Sequence, residues 1–536
     1  MILSKDAIKD IIPWEKAGIK LPKYELEKMI EYTSKNPIWI HFGSGNIFRG
    51  FLAVLQQSLL NSGKIDTGII TAEAFDYEII DKIYTPYDNL SLLVLMNSDG
   101  NLEKEVIGSV SESLVADSLR KDEWERLKAV FSKKSLQMVS FTVTEKGYAL
   151  VDINGNYLPD VIHDFEIGHK TPKHLISKIA ALAYTRYLNG KHPIAFVSMD
   201  NCSHNGDILK NAIKVVVEKW LDNGYVESDF LSYLNDPHMV SFPWTMIDKI
   251  TPRPSEKIKE SLNKFGFEST EIVCTDKKTF IAPFVNAEVC QYLVVEDHFP
   301  NGRMPLEHAG VLFTDRRTVD MVEKMKVGTC LNPLHTSLAI FGCLLGYVLI
   351  ADEMEDVQLR KLVDKIGYDE GMPVVINPEV INPKDFLDQV INERLTNKYI
   401  PDTPQRIATD TSQKMAIRFG ETIKTYCSHP SLTAKDLKFI PLVIAGWLRY
   451  LLGIDDEGNN MELSPDPMLF ELKEYLKDIK LGNIDSVGDS LKLVLSNEKL
   501  FGLNLYDAGL GEKIEVYFKE MIAGKHQVRN TLKRYL

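Results

Sequence analysis

The stretch Gly43–Gly50 reads G-S-G-N-I-F-R-G, a glycine pair set between an apolar run and an amphipathic one. Glycines at such a junction let the chain turn tightly and bring its backbone against a pyrophosphate. The helix that follows would add unpaired N–H groups and the positive end of its dipole. Gly43, Gly45, Asn46, Ile47 and Phe48 are therefore candidate dinucleotide-binding residues, with an ordinary strand–helix turn as the alternative. The fingerprint is incomplete, because Phe48 stands where a third glycine is usual. Arg49 lies beside the turn, to touch a phosphate or to pair on the surface. Further on, the next apolar run ends in A-E-A-F-D. It offers Glu73 to the ribose hydroxyls, and Asp76 as a second choice or as a helix N-cap. A carboxylate there repels a 2′-phosphate, so NAD is expected rather than NADP.

Metal chemistry is not indicated. His41, His204 and His238 stand singly, without the H-E-x-x-H spacing that holds zinc. The six cysteines (Cys202, Cys274, Cys290, Cys330, Cys343, Cys427) form no C-x-x-C pair and read as reduced and mostly buried.

The elements that must position these groups change character along the chain. Pro37–Gly43, Thr67–Ala74, Ser91–Met96, Met138–Thr144 and His192–Met199 read as strands, with helical patterns at Ile47–Leu60, Ser118–Phe131 and Pro172–Leu188. Alternating strands and helices imply a mostly parallel sheet. Glu271–Ile281 and Val289–Val295 are further extended segments. Beyond about Asp320 the patterns are helical: Pro333–Ala351, Val357–Gly367, Pro383–Leu395, Thr409–Tyr426, Leu437–Leu452 and Leu510–Ala523. The expected architecture is an α/β Rossmann-type N-terminal domain over residues 1–300, followed by a mostly α-helical C-terminal domain over 301–536, divided near the turn-rich Pro300–Pro305.

With 536 residues, several cores are expected. The 75 acidic residues outnumber the 62 Lys and Arg, a net charge of −13 that argues against nucleic acid or an anionic membrane as partner. Met1–Trp14 carries Lys5, Asp6, Lys9 and Asp10, unlike a signal peptide. The apolar runs Ser337–Ala351 and Phe439–Leu448 fall short of the ~20 residues of a membrane span and read as core helices. A cytoplasmic protein is expected, with monomer and dimer both open.

Three further blocks sharpen the reading: Val139–Tyr148 (VSFTVTEKGY), Ser198–Gly206 (SMDNCSHNG) and Lys324–His335 (KMKVGTCLNPLH). Together with HFGSGNIFRG they resemble the long-chain mannitol dehydrogenase family of polyol and sugar-acid dehydrogenases, in order from about Ile38 to Lys414. The resemblance implies NAD-dependent, metal-independent hydride transfer with a lysine base. It carries Lys326 over as that lysine, Glu323 as the glutamate before it, and Asn332 and His335 as the asparagine and histidine after it. Asn201 matches a second active-site asparagine, Thr144 and Glu145 fall in a cofactor-binding block, and Asp248 matches the aspartate of a V-D-R-I-x-P signature. Arg406 and Lys414 match a substrate-binding cation pair. Two departures stand out. Lys249 replaces the signature arginine, and the interval from Lys326 to Asn332 is one residue longer than is usual in the family. Asn332 as N-cap with Pro333 at the first helical position would place Lys326 on a non-helical approach, where an extra residue rotates no helical face.

Oxidising a secondary alcohol without a metal requires a group that accepts the hydroxyl proton and steadies the alkoxide. A partly desolvated lysine does both if its pKa falls from ~10.4 towards ~7–8. Asn201 and Asn332 would donate amide N–H groups to the oxygen, worth ~3–4 kcal/mol each by analogy with oxyanion holes. His335 would orient the lysine or the substrate, and Glu323 would relay the proton. Each also has an ordinary reading: a surface lysine, a helix cap, a structural histidine, a turn asparagine, a solvated cation pair. Arg406, Lys414 and Lys249 would hold a carboxylate, the arginine as a bidentate fork. These cations favour a sugar acid over a polyol, and the resemblance, closer to the sugar-acid members, implies the D-mannonate/D-fructuronate pair first, then altronate/tagaturonate, then mannitol/fructose. The competing class is a dinucleotide sensor without chemistry, against which the retained Lys326, Asn201, Asn332 and His335 speak.

Overall fold

The computed structural model describes residues 1–536. Four strands are buried at every position: β1 (Trp39–Phe42), β2 (Ile69–Glu73), β4 (Met138–Phe141) and β5 (Ile194–Ser198). Apolar runs without polar alternation suit a sheet covered on both faces, and these strands do pair in parallel. With β3 (Val110–Val115) and β6 (Val240–Ser241) they form a six-stranded sheet ordered β3-β2-β1-β4-β5-β6. This is the doubly wound dinucleotide-binding order, and its direction reverses between β1 and β4. Successive side chains face opposite ways. Ile40 and Phe42 join a core with Trp124, Leu127 and Phe131, and Trp39 joins another with Phe48, Phe51 and Leu55.

Strand β3 was not among the expected strands, because V-S-E-S-L-V alternates polar residues at a sheet edge. Ser91–Met96 is a strand outside this sheet. It runs antiparallel to Leu102–Ile107 and parallel to Phe284–Glu288 in a separate four-stranded sheet. The extended segment expected over Glu271–Ile281 is a hairpin of two short strands, Val273–Cys274 and Phe280–Ile281.

The chain divides into two units, Met1–Asn97 with Asn101–Asp320, and Ser98–Gly100 with Met321–Leu536. The division falls beyond Pro300–Pro305 because Leu312–Thr314 pairs with Tyr292–Glu296, which pairs with Thr245–Asp248. In the second unit two helices are buried almost all round, α1 (Asn332–Leu345) and α2 (Phe439–Tyr450), as core helices are. They approach closely, since a Cβ on Gly446 would lie 2.6 Å from the Phe341 ring. The helical span Arg316–Leu345 is long and apolar enough by composition to cross a membrane, yet 78% of its most apolar stretch is buried inside the protein.

Candidate active site

The turn after β1 is built on Gly43. Its φ is +104°, and a Cβ there would lie 2.3 Å from the Thr142 carbonyl oxygen at the end of β4. Only glycine fits where the two central strands end this close together. A Cβ on Gly45 would meet nothing within 4 Å, so the turn is open on that side. Asn46, Ile47 and Phe48 begin the helix, whose first N–H groups have no partner one turn earlier. A glycine turn with an open face and an unpaired helix start fits a dinucleotide pyrophosphate. Phe48 is buried and stacks on His41 with ring centroids 4.3 Å apart, and the helix runs as a π turn over Phe48–Leu52. The close packing a third glycine would allow falls to Gly50, where a Cβ would lie 2.9 Å from Thr251 Cγ2. His41 bonds Ser140 and Thr142, and burial lowers its pKa to about 3, so it is a neutral core residue.

Three expectations for this turn change. Arg49 is buried and does not face the surface. It donates to the Ala282 carbonyl (2.7 Å) and to Asn46 Oδ1 (2.8 Å), bracing the turn from behind. Glu73 turns inward as well. Oε2 accepts the Ser44 N–H (2.9 Å), and Oε1 accepts those of Ala74, Phe75 and Asp76 (3.1, 3.0 and 3.3 Å). Its carboxylate therefore shapes the glycine turn rather than standing open to a ribose. Asp76 is buried and accepts from Thr275 Oγ1 at 2.6 Å, so it is not a helix cap.

Beyond β4, Thr144 takes a left-handed φ of +64° and starts the short helix Thr144–Tyr148 that carries Glu145. Asp200 holds this strained turn by accepting the N–H groups of Val143 and Thr144, both at 2.9 Å, and the Tyr148 hydroxyl. Burial, its largest influence, leaves its pKa raised despite these bonds. Asn201 follows it and is exposed. Asn205 ties the same loop to the next sheet, donating to the Asp200 and Thr245 carbonyls and accepting the Thr245 N–H. Asp200 and Asn205 are not among the residues that the sequence singles out in the S-M-D-N-C-S-H-N-G block. Their signal is the cluster of short polar side chains just after a buried strand. Asp248 is buried on the strand Thr245–Asp248, and Lys249 donates to the Glu288 carbonyl and to Gln291 Oε1.

In the second unit, Lys326 is 3% exposed. It lies on a π-helical turn, Lys326–Cys330, that continues the helix Arg316–Met325, so the non-helical approach expected for it is not what forms. The Leu331 N–H donates to the Lys326 carbonyl at 3.1 Å, a five-residue closure. A π turn holds one residue more than an α turn, and so accommodates the extra residue before Asn332. The cap expectation also changes. Leu331, not Asn332, is the N-cap, Asn332 is the first helical residue, and no side chain caps α1. The Asn332 amide is thus not spent on capping. Glu323 sits half-buried in the last turn before Lys326.

His335 occupies the first turn of α1, with Nε2 3.3 Å from Asp402 Oδ2 but out of line for a full hydrogen bond. Arg406 pairs with the other oxygen of Asp402. Burial lowers the His335 pKa more than Asp402 raises it, which leaves a neutral imidazole near pH 7. Asp402 is pulled the other way: burial would raise it, but His335 and Arg406 bring it below the usual carboxylate range. Lys414 donates to the Thr409 carbonyl, and its pKa is lowered by burial and then by Arg418. Arg418 donates to Thr336 Oγ1, one residue after His335, and burial lowers its pKa to about 10. His335 and Arg406 thus share Asp402, Arg418 acts on His335, and Lys414 feels Arg418 and Arg406 together with the carboxylates of Asp410 and Asp466. Asp402 and Arg418 were not anticipated. The first is betrayed only by its i,i+4 spacing to Arg406.

Comparison with known proteins agrees with this geometry. Residues 37–308 match the mannitol dehydrogenase Rossmann domain and residues 318–522 the mannitol dehydrogenase C-terminal domain. The chain is 56% identical to the D-mannonate oxidoreductase of Thermotoga maritima, over 99% of this chain and 98% of that one. Pseudomonas fluorescens mannitol 2-dehydrogenase, solved as a ternary complex with NAD and D-mannitol, superposes with a TM-score of 0.70 at 25% identity, covering 100% of this chain and 99% of that one. A D-sorbitol dehydrogenase solved in substrate-free form shares the fold with a TM-score of 0.80 at 23% identity, covering 99% of this chain and 100% of that one.

Proposed function

The chain belongs to the mannitol dehydrogenase family and is an NAD-dependent oxidoreductase, and we propose that it interconverts D-mannonate and D-fructuronate. The observation that carries this reading is Arg406, an exposed guanidinium beside His335 and near enough to Lys414 to act on it. A guanidinium open to solvent takes a carboxylate as a bidentate fork, which fits a sugar acid. The 56% identity to a D-mannonate oxidoreductase supports the same substrate pair.

In this proposal Lys326 is the general acid and base. It takes the hydroxyl proton when the alcohol is oxidised and returns it to the keto oxygen in reduction. Its burial supports the role, because a buried amine meets the substrate hydroxyl away from competing bulk water. Asn332, free of capping duty, and Asn201 are proposed donors to the developing oxyanion. His335, neutral and held near Asp402, orients the substrate, and Glu323 passes the proton to solvent. Arg406 and Lys414 hold the carboxylate, and Asp248 and Lys249 are further proposed substrate-binding residues. Gly43, Gly45, Asn46, Ile47, Phe48, Thr144 and Glu145 are proposed to hold the cofactor, and Arg49, Glu73 and Asp76 to shape the turn that does so. NAD supplies the hydride acceptor. In the cell the reading is of a cytoplasmic enzyme acting on this small molecule alone.

Replacing Lys326 with Ala tests the proton-transfer role. NADH consumption with D-fructuronate should fall ~10²–10⁴-fold while the NADH dissociation constant stays within twofold. A near-normal rate would remove Lys326 from that role.

A further inference from the structure

Glu73, the residue best placed by sequence to hold the adenosine half of the cofactor, is occupied by four backbone N–H groups. What the end of β2 presents instead is Phe75. Its main chain is pinned: the N–H donates to Glu73, and the carbonyl of the preceding Ala74 accepts from Lys178 Nζ at 3.2 Å. Its ring is nonetheless 68% exposed. A large apolar ring is thus held out on a fixed backbone at the carboxyl edge of the sheet, where dinucleotides bind in folds of this strand order.

A second element meets it there. In the hairpin Val273–Ile281, the turn brings Lys277 Nζ to 4.9 Å from the centre of the Phe75 ring. The hairpin is moored to the same loop, with Thr275 Oγ1 donating to Asp76 Oδ2 and the Asp276 N–H to Glu78 Oε2 at 2.8 Å. Asp76, buried and spent on Thr275, thus fixes the distance between the lysine and the ring.

We infer that Phe75 and Lys277 form the clamp for the cofactor's adenine, the base stacking on the ring and the ammonium closing over its π face. Stacking supplies affinity without a ribose carboxylate, and a cation near the ring strengthens it. The clamp rests on the reading that this edge takes NAD, and the following measurements separate the two.

Binding of NADH and of ADP-ribose to the full chain is measured by calorimetry for the wild type, Phe75→Ala, Phe75→Tyr and Lys277→Ala. Phe75→Ala should weaken both ligands by about tenfold or more, the size of effect seen when an aromatic platform under a base is removed. Phe75→Tyr should keep wild-type affinity, and Lys277→Ala should lose a few-fold. Reduced nicotinamide mononucleotide, which lacks the adenosine, should support the same turnover in wild type and Phe75→Ala. If Phe75→Ala binds ADP-ribose within twofold of wild type, or loses turnover with the mononucleotide as severely as with NADH, the clamp is wrong. A wild type that binds neither NADH nor ADP-ribose would overturn the cofactor reading and the clamp together.

Discussion

The glycine turn of the first unit and the charged group of the second solve different problems with different materials. Around Gly43 the main chain does the work. A positive φ, a 2.3 Å clearance that no Cβ fits, and a carboxylate fully engaged with backbone N–H groups leave a surface of amides. Around His335 the side chains do it, with His335 and Arg406 sharing Asp402 and with Lys414 and Arg418 braced by a carbonyl and a hydroxyl. A site made of backbone is rigid and fails by steric clash. A site made of charged side chains is tunable and fails by losing compensation.

Gly43→Ala breaks the first most severely. The methyl would press on the Thr142 carbonyl in a backbone conformation that alanine avoids. NADH binding should drop at least a hundredfold, or the first unit should fail to fold, while calorimetry still finds the second unit's unfolding transition. Asp402→Asn breaks the other kind of site by about 0.5–1.5 kcal/mol, the usual worth of a single hydrogen-bonded pair, because its partner Arg406 stays open to water. The pH dependence identifies it. Asp402 has a folded pKa below its unfolded one, so its stabilisation is present above the unfolded value and is lost as pH falls through the folded one. Denaturant titrations of the wild type should therefore show an acid-side loss of stability that Asp402→Asn lacks.

A further effect concerns a buried carboxyl outside either site. Glu353 is fully buried with neither carboxylate oxygen bonded, in space left by Gly342, and burial holds its carboxyl far above the usual range. Between the unfolded carboxyl's ~4.3 and that raised value, the native state keeps a proton that the unfolded chain has lost. Stability therefore falls as pH rises, by about 1.4 kcal/mol per pH unit of that window. Glu353→Gln should be more stable than wild type by a margin larger at pH 8 than at pH 5. A margin independent of pH would show that the carboxyl does not titrate in this way.

The contrast also explains what the sequence made legible. Backbone devices leave local signatures: G-S-G after an apolar run announces both the turn and the sheet order it belongs to. Side-chain constellations assembled over long separations do not. Nothing near His335 in the chain announces Asp402 or Arg418, and their place is set by helix packing. Local rules also misjudged two positions. N-P reads as a cap and a helix start, but the π turn at Lys326–Cys330 carries the helix on and moves Asn332 inside it. Glu73 reads as a ribose ligand, but the four N–H groups converging on it come from its own loop and from Ser44, distant by 29 positions only along the chain.

The central claim, that this site takes a sugar acid in its keto form, is tested most directly by kcat/KM for NADH-dependent reduction of D-fructuronate, D-tagaturonate and D-fructose side by side. The expected result is D-fructuronate first, with D-fructose at least a hundredfold below it. Equal or better use of D-fructose would contradict the account.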